Sequence, residues 1–486
     1  MRRRRKRRNV ASPSICKTDG AGSVTAAIID ELRSVFDTTT ILTGNDIDAR
    51  YHTDMAGVPV PPPLAVMRPR STEDVSTFLR LCHLAKVPVT TQGGMTGLVR
   101  ATMPQAGEIV LSMERMNAIE EVDTGGGVVI TQTGVPLQRL QERVGQDGFM
   151  FPLDLGARGS CTIGGNISTN AGGNRVIRYG MTRDLVLGLE AVLADGTVLK
   201  GVRKYIKNNT GIDLKQLFVG TEGTLGVVTR AALRIFPAPA EQQVALCALP
   251  SFNHVRALLA LARTRLGGDL TAFEVMWNEY YRLTTELVKG VAAPLPTNHP
   301  FYVLLESSGS DAERIREDLE EMLETALEDE IILDATIASS GAAAVAIWKI
   351  RDSSVELGRA IGPNGVGFDI SLAIDRMEAF ADRIKAEARK IDQSAYAIVF
   401  GHAGDGNLHV NVKYPAGTDR NEEITKLVYG ITGEFAGSIS AEHGIGILKR
   451  PYLKLSRTEE EIETMRTLKR ALDPHHILNP GRIFTI

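Results

Sequence analysis

The sequence predicts an α+β protein in two main parts, and three observations predict it. From about Val87 to Ile235 short apolar strands alternate with glycine turns. At Pro237-Ala238-Pro239-Ala240 that pattern stops. Beyond it, longer amphipathic helices are interleaved with short strands, a mixture that points to helices packed on an antiparallel sheet.

The elements follow in chain order. Thr25 to Phe36 reads as a first helix, and Gly57 to Pro63 as a proline-rich connector. Ser71-Thr72-Glu73-Asp74 is a helix start, with Ser71 as cap. Val75, Phe78, Leu79 and Cys82 then repeat at helical spacing. Val87 to Thr90 is a short strand. Arg314 to Leu327 is an amphipathic helix that buries Ile315, Leu319, Met322, Leu323 and Ala326 and turns its acids to solvent. Phe301 to Leu305, Ile331 to Leu333 and Phe368 to Leu372 read as strands. Tyr396 to Phe400 runs into an Asp-Gly turn and returns as Leu408 to Val412, a hairpin signal. Glu459 to Leu472 is a last helix. These boundaries divide the chain into residues 1–22, 23–236, 237–450 and 451–486.

Composition excludes several classes. The 486 residues are 43% hydrophobic and 23% charged, ordinary for a globular protein with a large core. Cys16, Cys82, Cys161 and Cys247 form no CxxC pair, which argues against a disulfide scaffold or a thiolate metal site. No apolar run approaches the roughly 20 residues that span a bilayer. Arg2 to Arg8 are seven consecutive positive charges, and removing them takes the net charge from −3 to −10. Such a run is expected to be a disordered tail without a role in the fold. The acidic body and the lack of interleaved aromatics argue against a nucleic-acid partner.

Chemistry concentrates near the C-terminus. Five of the nine histidines fall in the last 85 residues. Gly401-His402-Ala403-Gly404-Asp405-Gly406-Asn407-Leu408-His409 places His402 at a strand end, with His409 and Asn411 on one face of the return strand. Ser440-Ala441-Glu442-His443-Gly444 adds a carboxylate and a third imidazole. His402, His409 and Glu442 form a ligand set for a catalytic divalent metal, Zn or Mn, with open positions. His443, beside Glu442, is a candidate general base.

Nothing matches a Rossmann or P-loop signature. Instead three segments are rich in Gly, Ser, Thr and Asn: Thr91 to Leu98, Gly159 to Gly173, and Gly220 to Gly226. Backbone amides in such turns form anion-binding concavities, which suit a long phosphate-containing cofactor.

In order and wording these segments resemble the FAD-linked oxidoreductases of the vanillyl-alcohol oxidase and p-cresol methylhydroxylase type. The likeness is greatest to D-lactate and D-2-hydroxyglutarate dehydrogenases and the glycolate oxidase flavin subunit, and covers about residues 40–486. It implies a two-part FAD-binding domain over 23–236, a substrate and metal cap domain over 237–450, and a C-terminal helical return to the FAD site. It implies that Gln92, Gly93, Gly94, Met95, Thr96, Gly97 and Leu98 wrap the FAD pyrophosphate. Pro152, Leu153, Asp154, Ser160, Cys161, Thr162, Ile163, Gly165, Asn166, Asn170, Ala171, Gly172 and Gly173 would line the flavin and ribityl chain. Val228 would pack near the adenine, and Asn479 would reach the flavin. Covalent attachment in this superfamily uses a His or Cys; the Thr91–Arg100 loop has neither, so noncovalent FAD is expected.

The resemblance further implies oxidation of a D-2-hydroxy acid, of D-lactate or D-2-hydroxyglutarate type, to the 2-oxo acid. Hydride passes to flavin N5 and electrons to a separate acceptor, a quinone, cytochrome or electron-transfer flavoprotein. Arg351 would grip the substrate carboxylate in a bidentate fork, and Asn411 would hydrogen-bond the substrate. Several D-2-hydroxyglutarate dehydrogenases carry a Lys where this chain has Gly367, which puts a substrate with a second carboxylate in doubt. A glycolate oxidase-type flavin subunit is the nearest alternative. A metallohydrolase is another, although it leaves the glycine segments without a role. A homodimer is expected, in the cytoplasm, at the membrane periphery or in the mitochondrial matrix.

Overall fold

The computed structural model describes residues 19–415, 417 and 419–486, with side chains from residue 27 onward. The Arg2–Arg8 run lies outside the described residues. The first helix spans Asp19–Val35 and packs Ile28 and Leu32 against the helix Thr72–Ala85. Ser71 caps that second helix by accepting from the Asp74 amide at 3.2 Å, as its sequence predicts. Both helices cover a four-stranded sheet ordered Ile41–Thr43, Ala65–Met67, Ile109–Ser112, Val89–Gln92. Its last two pairings are parallel.

A five-stranded antiparallel sheet follows, ordered Ile119–Asp123, Val128–Gln132, Val227–Arg234, Val186–Val192, Val198–Gly201. All strands of a third, seven-stranded antiparallel sheet lie beyond Pro239. Its order is Asp334–Ile337, Glu241–Leu249, Phe301–Gly309, Leu270–Trp277, Tyr396–Gly401, Asn407–Lys413, Gly365–Ser371.

The period-2 alternation of these strands sends side chains to two cores. Cys247, Phe273, Val275, Leu408, Val410 and Val412 meet one set of helices, which includes Phe252–Arg265, Ala312–Glu328 and Met377–Ile391. Leu246, Met276, Ile398 and Phe400 meet Asn278–Leu287 and Gly341–Asp352 on the other face. His409 and Asn411 alternate with Leu408, Val410 and Val412, so they project toward this second face.

One expected strand is displaced. Ile331 to Leu333 does not form a strand; the strand is Asp334–Ile337. The helix before it ends at Glu328, Glu330 follows in the left-handed region (φ +56°), and the Ile331 and Ile332 amides donate back to the Ala326 carbonyl. The apolar run closes the helix and plugs the core with Ile332 instead of pairing.

The C-terminal segment returns to the first sheet. Asn479 donates its amide to Val89 O at 2.8 Å, and Leu478 bridges Val89 in parallel. Arg482 locks this return from a fully buried position. Its Nη1 and Nη2 donate to the two Glu108 oxygens at 2.6 and 2.9 Å, and Nη2 also donates to Met103 O at 2.6 Å. Removing one partner of a buried pair strands the other charge, at a cost of about 3–5 kcal/mol. Arg482→Ala is therefore expected to shift the urea transition to lower denaturant, and Arg482→Met with Glu108→Met to recover part of the loss. An unchanged transition in Arg482→Ala would contradict this.

Candidate active site

Two clusters of functional side chains lie on either side of one turn. The first borders a cleft. Of the predicted residues, Gln92, Gly93, Thr162, Gly165, Val228 and Asn479 line it; Thr91, Thr133, Ser168, Glu222 and Gly223 join them. Close backbone approach builds the cleft. A Cβ on Gly94 would run into the Ser160 carbonyl, and one on Gly173 into the Asp154 carbonyl. Segments 91–98 and 159–173 meet this closely because Gly94 carries no side chain, and Gly173 likewise lets its segment close on Asp154. Thr162 accepts from the Gly165 amide at 3.4 Å and starts the short helix Ile163–Thr169. Asn479 Oδ1 accepts from the Thr91 amide at 2.8 Å.

Among the described residues, Thr91 Oγ1, Gln92 Oε1 and Asn166 Nδ2 are buried polar atoms without a partner in the protein. Buried polar groups are costly unless hydrogen-bonded, so these atoms suit a polar ligand such as FAD.

The remaining predicted cofactor residues are placed differently. Leu153, Cys161, Ile163 and Ala171 pack their side chains into the hydrophobic core of this part, and Pro152 is buried. Burial pushes the Cys161 thiol up, away from nucleophilic reactivity. Asp154 pairs with Arg158 at 3.1 Å, Asn170 Oδ1 accepts from the Arg183 amide at 2.9 Å, and Gly172 abuts Met181. Met95, Thr96, Gly97 and Leu98 do not line the cleft; Leu98 is 54% exposed.

The second cluster is the predicted metal set. The ligand atoms of His402, His409 and Glu442 lie within 4.8 Å of one another. His402 Nε2 is 3.9 Å from Glu442 Oε1, and His409 Nε2 is 4.0 Å from Glu442 Oε2. His402 Nδ1 lies 2.6 Å from Glu274 Oε1, while Nε2 faces Arg351 Nη2 at 2.8 Å and, farther off, Glu442. Burial drives the His409 imidazole well below its usual range, so it is neutral and able to ligate, whereas Glu274 raises the His402 pKa against burial. Two imidazole nitrogens and a carboxylate, converging with a carboxylate behind one ring, fit a catalytic divalent cation.

Glu274 itself was not legible as a site residue. It stands on the strand Leu270–Trp277, fully buried among apolar neighbours. Burial alone would raise its pKa, but the charges of His402 and Arg351 hold it down at about 2. A lone acid inside an apolar strand is the signal that could have found it.

Arg351 departs from the expected open fork. Its Nε donates to Glu274 Oε2 at 2.8 Å and its Nη2 to His402 Nε2 at 2.8 Å. One edge of the guanidinium is therefore committed to Glu274. Asn411 lies opposite Gly367 in the strand register. A Cβ on Gly367 would sit 2.8 Å from Asn411 Oδ1, so this Asn position depends on glycine across the ladder.

His443 stands beside Asp369, with Nδ1 3.6 Å from Oδ2. The buried Asp369 carboxylate also accepts the amides of Glu442 and His443, each at 3.0 Å, and Asn407 Nδ2 at 2.8 Å. Burial opposes its charge, but His443 and Lys449 outweigh burial and keep Asp369 ionised.

The chain is similar to known proteins in sequence and in fold. A family model described as "FAD binding domain" matches residues 63–201, and one described as "FAD linked oxidases, C-terminal domain" matches residues 238–483. A mitochondrial D-2-hydroxyglutarate dehydrogenase of Bos taurus is 42% identical over 422 residues, 86% of this chain and 76% of the relative. A D-2-hydroxyglutarate dehydrogenase of Xanthomonas citri pv. viticola is 39% identical over 87% of this chain and 90% of the relative. Among solved structures, 4-ethylphenol oxidase from Gulosibacter chungangensis superposes with a TM-score of 0.75 at 19% identity, covering 96% of this chain and 99% of that one. A p-cresol methylhydroxylase does so with a TM-score of 0.75 at 16% identity, covering 96% and 98%. The last two establish the fold, a two-part FAD-binding unit with an α+β cap. By its sequence this chain belongs to the FAD-linked oxidase family, alongside the D-2-hydroxyglutarate dehydrogenases.

Proposed function

We propose that this enzyme oxidises a D-2-hydroxy acid to the 2-oxo acid with noncovalent FAD and a divalent cation, Zn or Mn, and passes the electrons to a separate acceptor. The observation that carries the reading is the convergence of His402, His409 and Glu442 beside His443, one short turn away from the cleft. FAD would lie against Gln92, Gly93, Thr162, Gly165 and Asn479, and the cation between His402, His409 and Glu442. When bound, these groups would supply a hydride acceptor and a Lewis acid that lowers the pKa of the substrate hydroxyl.

The chain's own residues do the rest. His443, oriented by Asp369, takes the hydroxyl proton on Nε2. Arg351, fixed by Glu274, offers its remaining N–H groups to the substrate carboxylate. Asn411 holds the substrate from the return strand. The core position of Cys161 supports noncovalent attachment.

The substrate side chain is of D-lactate or D-2-hydroxyglutarate type. Gly367 brings no cation to the site, and two nearby cations are engaged elsewhere. Lys349 Nζ donates to Gly290 O at 3.0 Å and Lys413 Nζ to Gly362 O at 2.9 Å. Arg359, the other cation close in sequence, is exposed, and the relatives named D-2-hydroxyglutarate dehydrogenase support a substrate with a second carboxylate. The acceptor is of quinone, cytochrome or electron-transfer flavoprotein type, and the assembly a homodimer. Among the described residues, no helix is long and apolar enough to cross a membrane.

Three outcomes test the reading. Purified protein should release FAD on acid precipitation, and chelation should abolish turnover while FAD stays bound, with Zn²⁺ or Mn²⁺ restoring it. Full activity in enzyme shown metal-free by elemental analysis would remove the cation. Glu274→Gln should weaken Zn²⁺ binding by about 10–100-fold, the usual cost of losing a partner behind a ligand, without changing flavin content. Unchanged Zn²⁺ affinity would refute that role. Finally, His443→Asn should keep FAD and metal yet slow flavin reduction by ~10²–10⁴-fold in stopped flow. D-2-hydroxy acids should reduce the wild-type flavin and L-enantiomers should not. Wild-type rates in His443→Asn would remove the base, and equal reduction by L-acids would remove the substrate assignment.

A further inference from the structure

The turn Gly220–Gly226 separates the cleft from the metal cluster, and Glu222 touches both sides. It lines the cleft beside Gly223 and Asn479. Its amide donates to Ser168 O at 2.8 Å, and its carbonyl accepts from Asn479 Nδ2 at 2.6 Å. Its side chain leaves the cleft: Oε1 accepts from the Ile445 amide at 2.6 Å and Oε2 from the Gly446 amide at 2.8 Å. Those amides follow closely after Glu442 and His443 in the same loop. Gly444 is in contact range too, since a Cβ there would sit 2.7 Å from Glu222 Oε1.

Glu222 is buried and held in the left-handed region at φ +51°, with Gly220 and Gly223 also at positive φ. A glutamate is strained there, so the surrounding contacts must determine its conformation. Lys449 and Arg482 are the positive charges that face its carboxylate. Any ligand that orders the cleft wall therefore also fixes where this carboxylate points, and the carboxylate fixes the loop that carries the third metal ligand.

We propose that Glu222 couples the two sites, so that FAD and the divalent cation bind with positive cooperativity. This rests on the FAD and metal reading above. Coupling between sites is reciprocal: if FAD raises the affinity for metal, metal raises the affinity for FAD by the same factor. The coupling needs no direct contact between the two ligands, only a shared element that both prefer in one arrangement.

The test starts from holoenzyme. FAD release on dilution is followed by recovery of flavin fluorescence, once with saturating Zn²⁺ and once after dialysis against a chelator. The metal-free protein is expected to show an FAD dissociation constant about tenfold larger, within the usual 5–150-fold span of such couplings. Glu222→Gln, which keeps one acceptor oxygen, should narrow the difference, and Glu222→Ala should remove it. A wild-type constant indifferent to Zn²⁺, or a full difference in Glu222→Ala, overturns the proposal. Should both variants fail to fold, hydrogen exchange on the wild type decides. The peptide containing Ile445 and Gly446 should exchange faster once FAD is released, and unchanged exchange overturns the coupling. Protein that binds no flavin or no zinc refutes the functional reading itself. Protein that binds both independently refutes only the coupling.

Discussion

Two buried carboxylates hold the segment on which the candidate chemistry depends. The amides of Glu442 and His443 donate to Asp369, and those of Ile445 and Gly446 donate to Glu222. Four of the five amides from Glu442 to Gly446 are thus spent on side-chain acceptors from two different parts of the chain. Asp369 comes from the seven-stranded sheet; Glu222 comes from the turn that leads into the strand Val227–Arg234 of the five-stranded sheet. Charge-assisted hydrogen bonds of this kind are stronger than neutral ones. They tie Glu442 and His443, on an irregular loop, as firmly as the residues of a regular element.

The same economy recurs behind the other ligands. Glu274 accepts from His402 on one oxygen and from Arg351 on the other. One buried acid therefore orients both the His402 ring and the Arg351 guanidinium. At the far end, Lys469 donates to Asp473, Thr224 O and Leu478 O, each within 2.7 Å. That tie fixes the C-terminal return against the turn that carries Glu222.

What the sequence disclosed divides along a physical line. Local signals were legible: the Ser71 cap, the stripe Ile315 to Ala326, the hairpin around Asp405-Gly406 and the helix Glu459–Leu472 all depend on neighbours in the chain. The His402, His409 and Glu442 set was legible because each residue sits beside glycines in short motifs. Partners far apart were not. Glu274 is 128 residues from His402, and Glu222 is more than 220 from Ile445, so no spacing rule links them. Ile331 to Leu333 misled because a short apolar run ends a helix as readily as it makes a strand. The family resemblance named Leu153, Cys161, Ile163 and Ala171 as cofactor residues; their side chains pack in the core, so any contact they make would come through the backbone.

His402, His409 and Glu442 are proposed to hold a divalent cation next to bound FAD. Anomalous scattering at the zinc edge from crystals of the flavin-loaded protein tests it most directly. One strong peak is expected at about 2.0–2.2 Å from His402 Nε2, His409 Nε2 and a Glu442 oxygen, with flavin density in the cleft bordered by Gln92 and Asn479. A peak at another cluster, or no peak in zinc-loaded crystals that show this flavin, would contradict it.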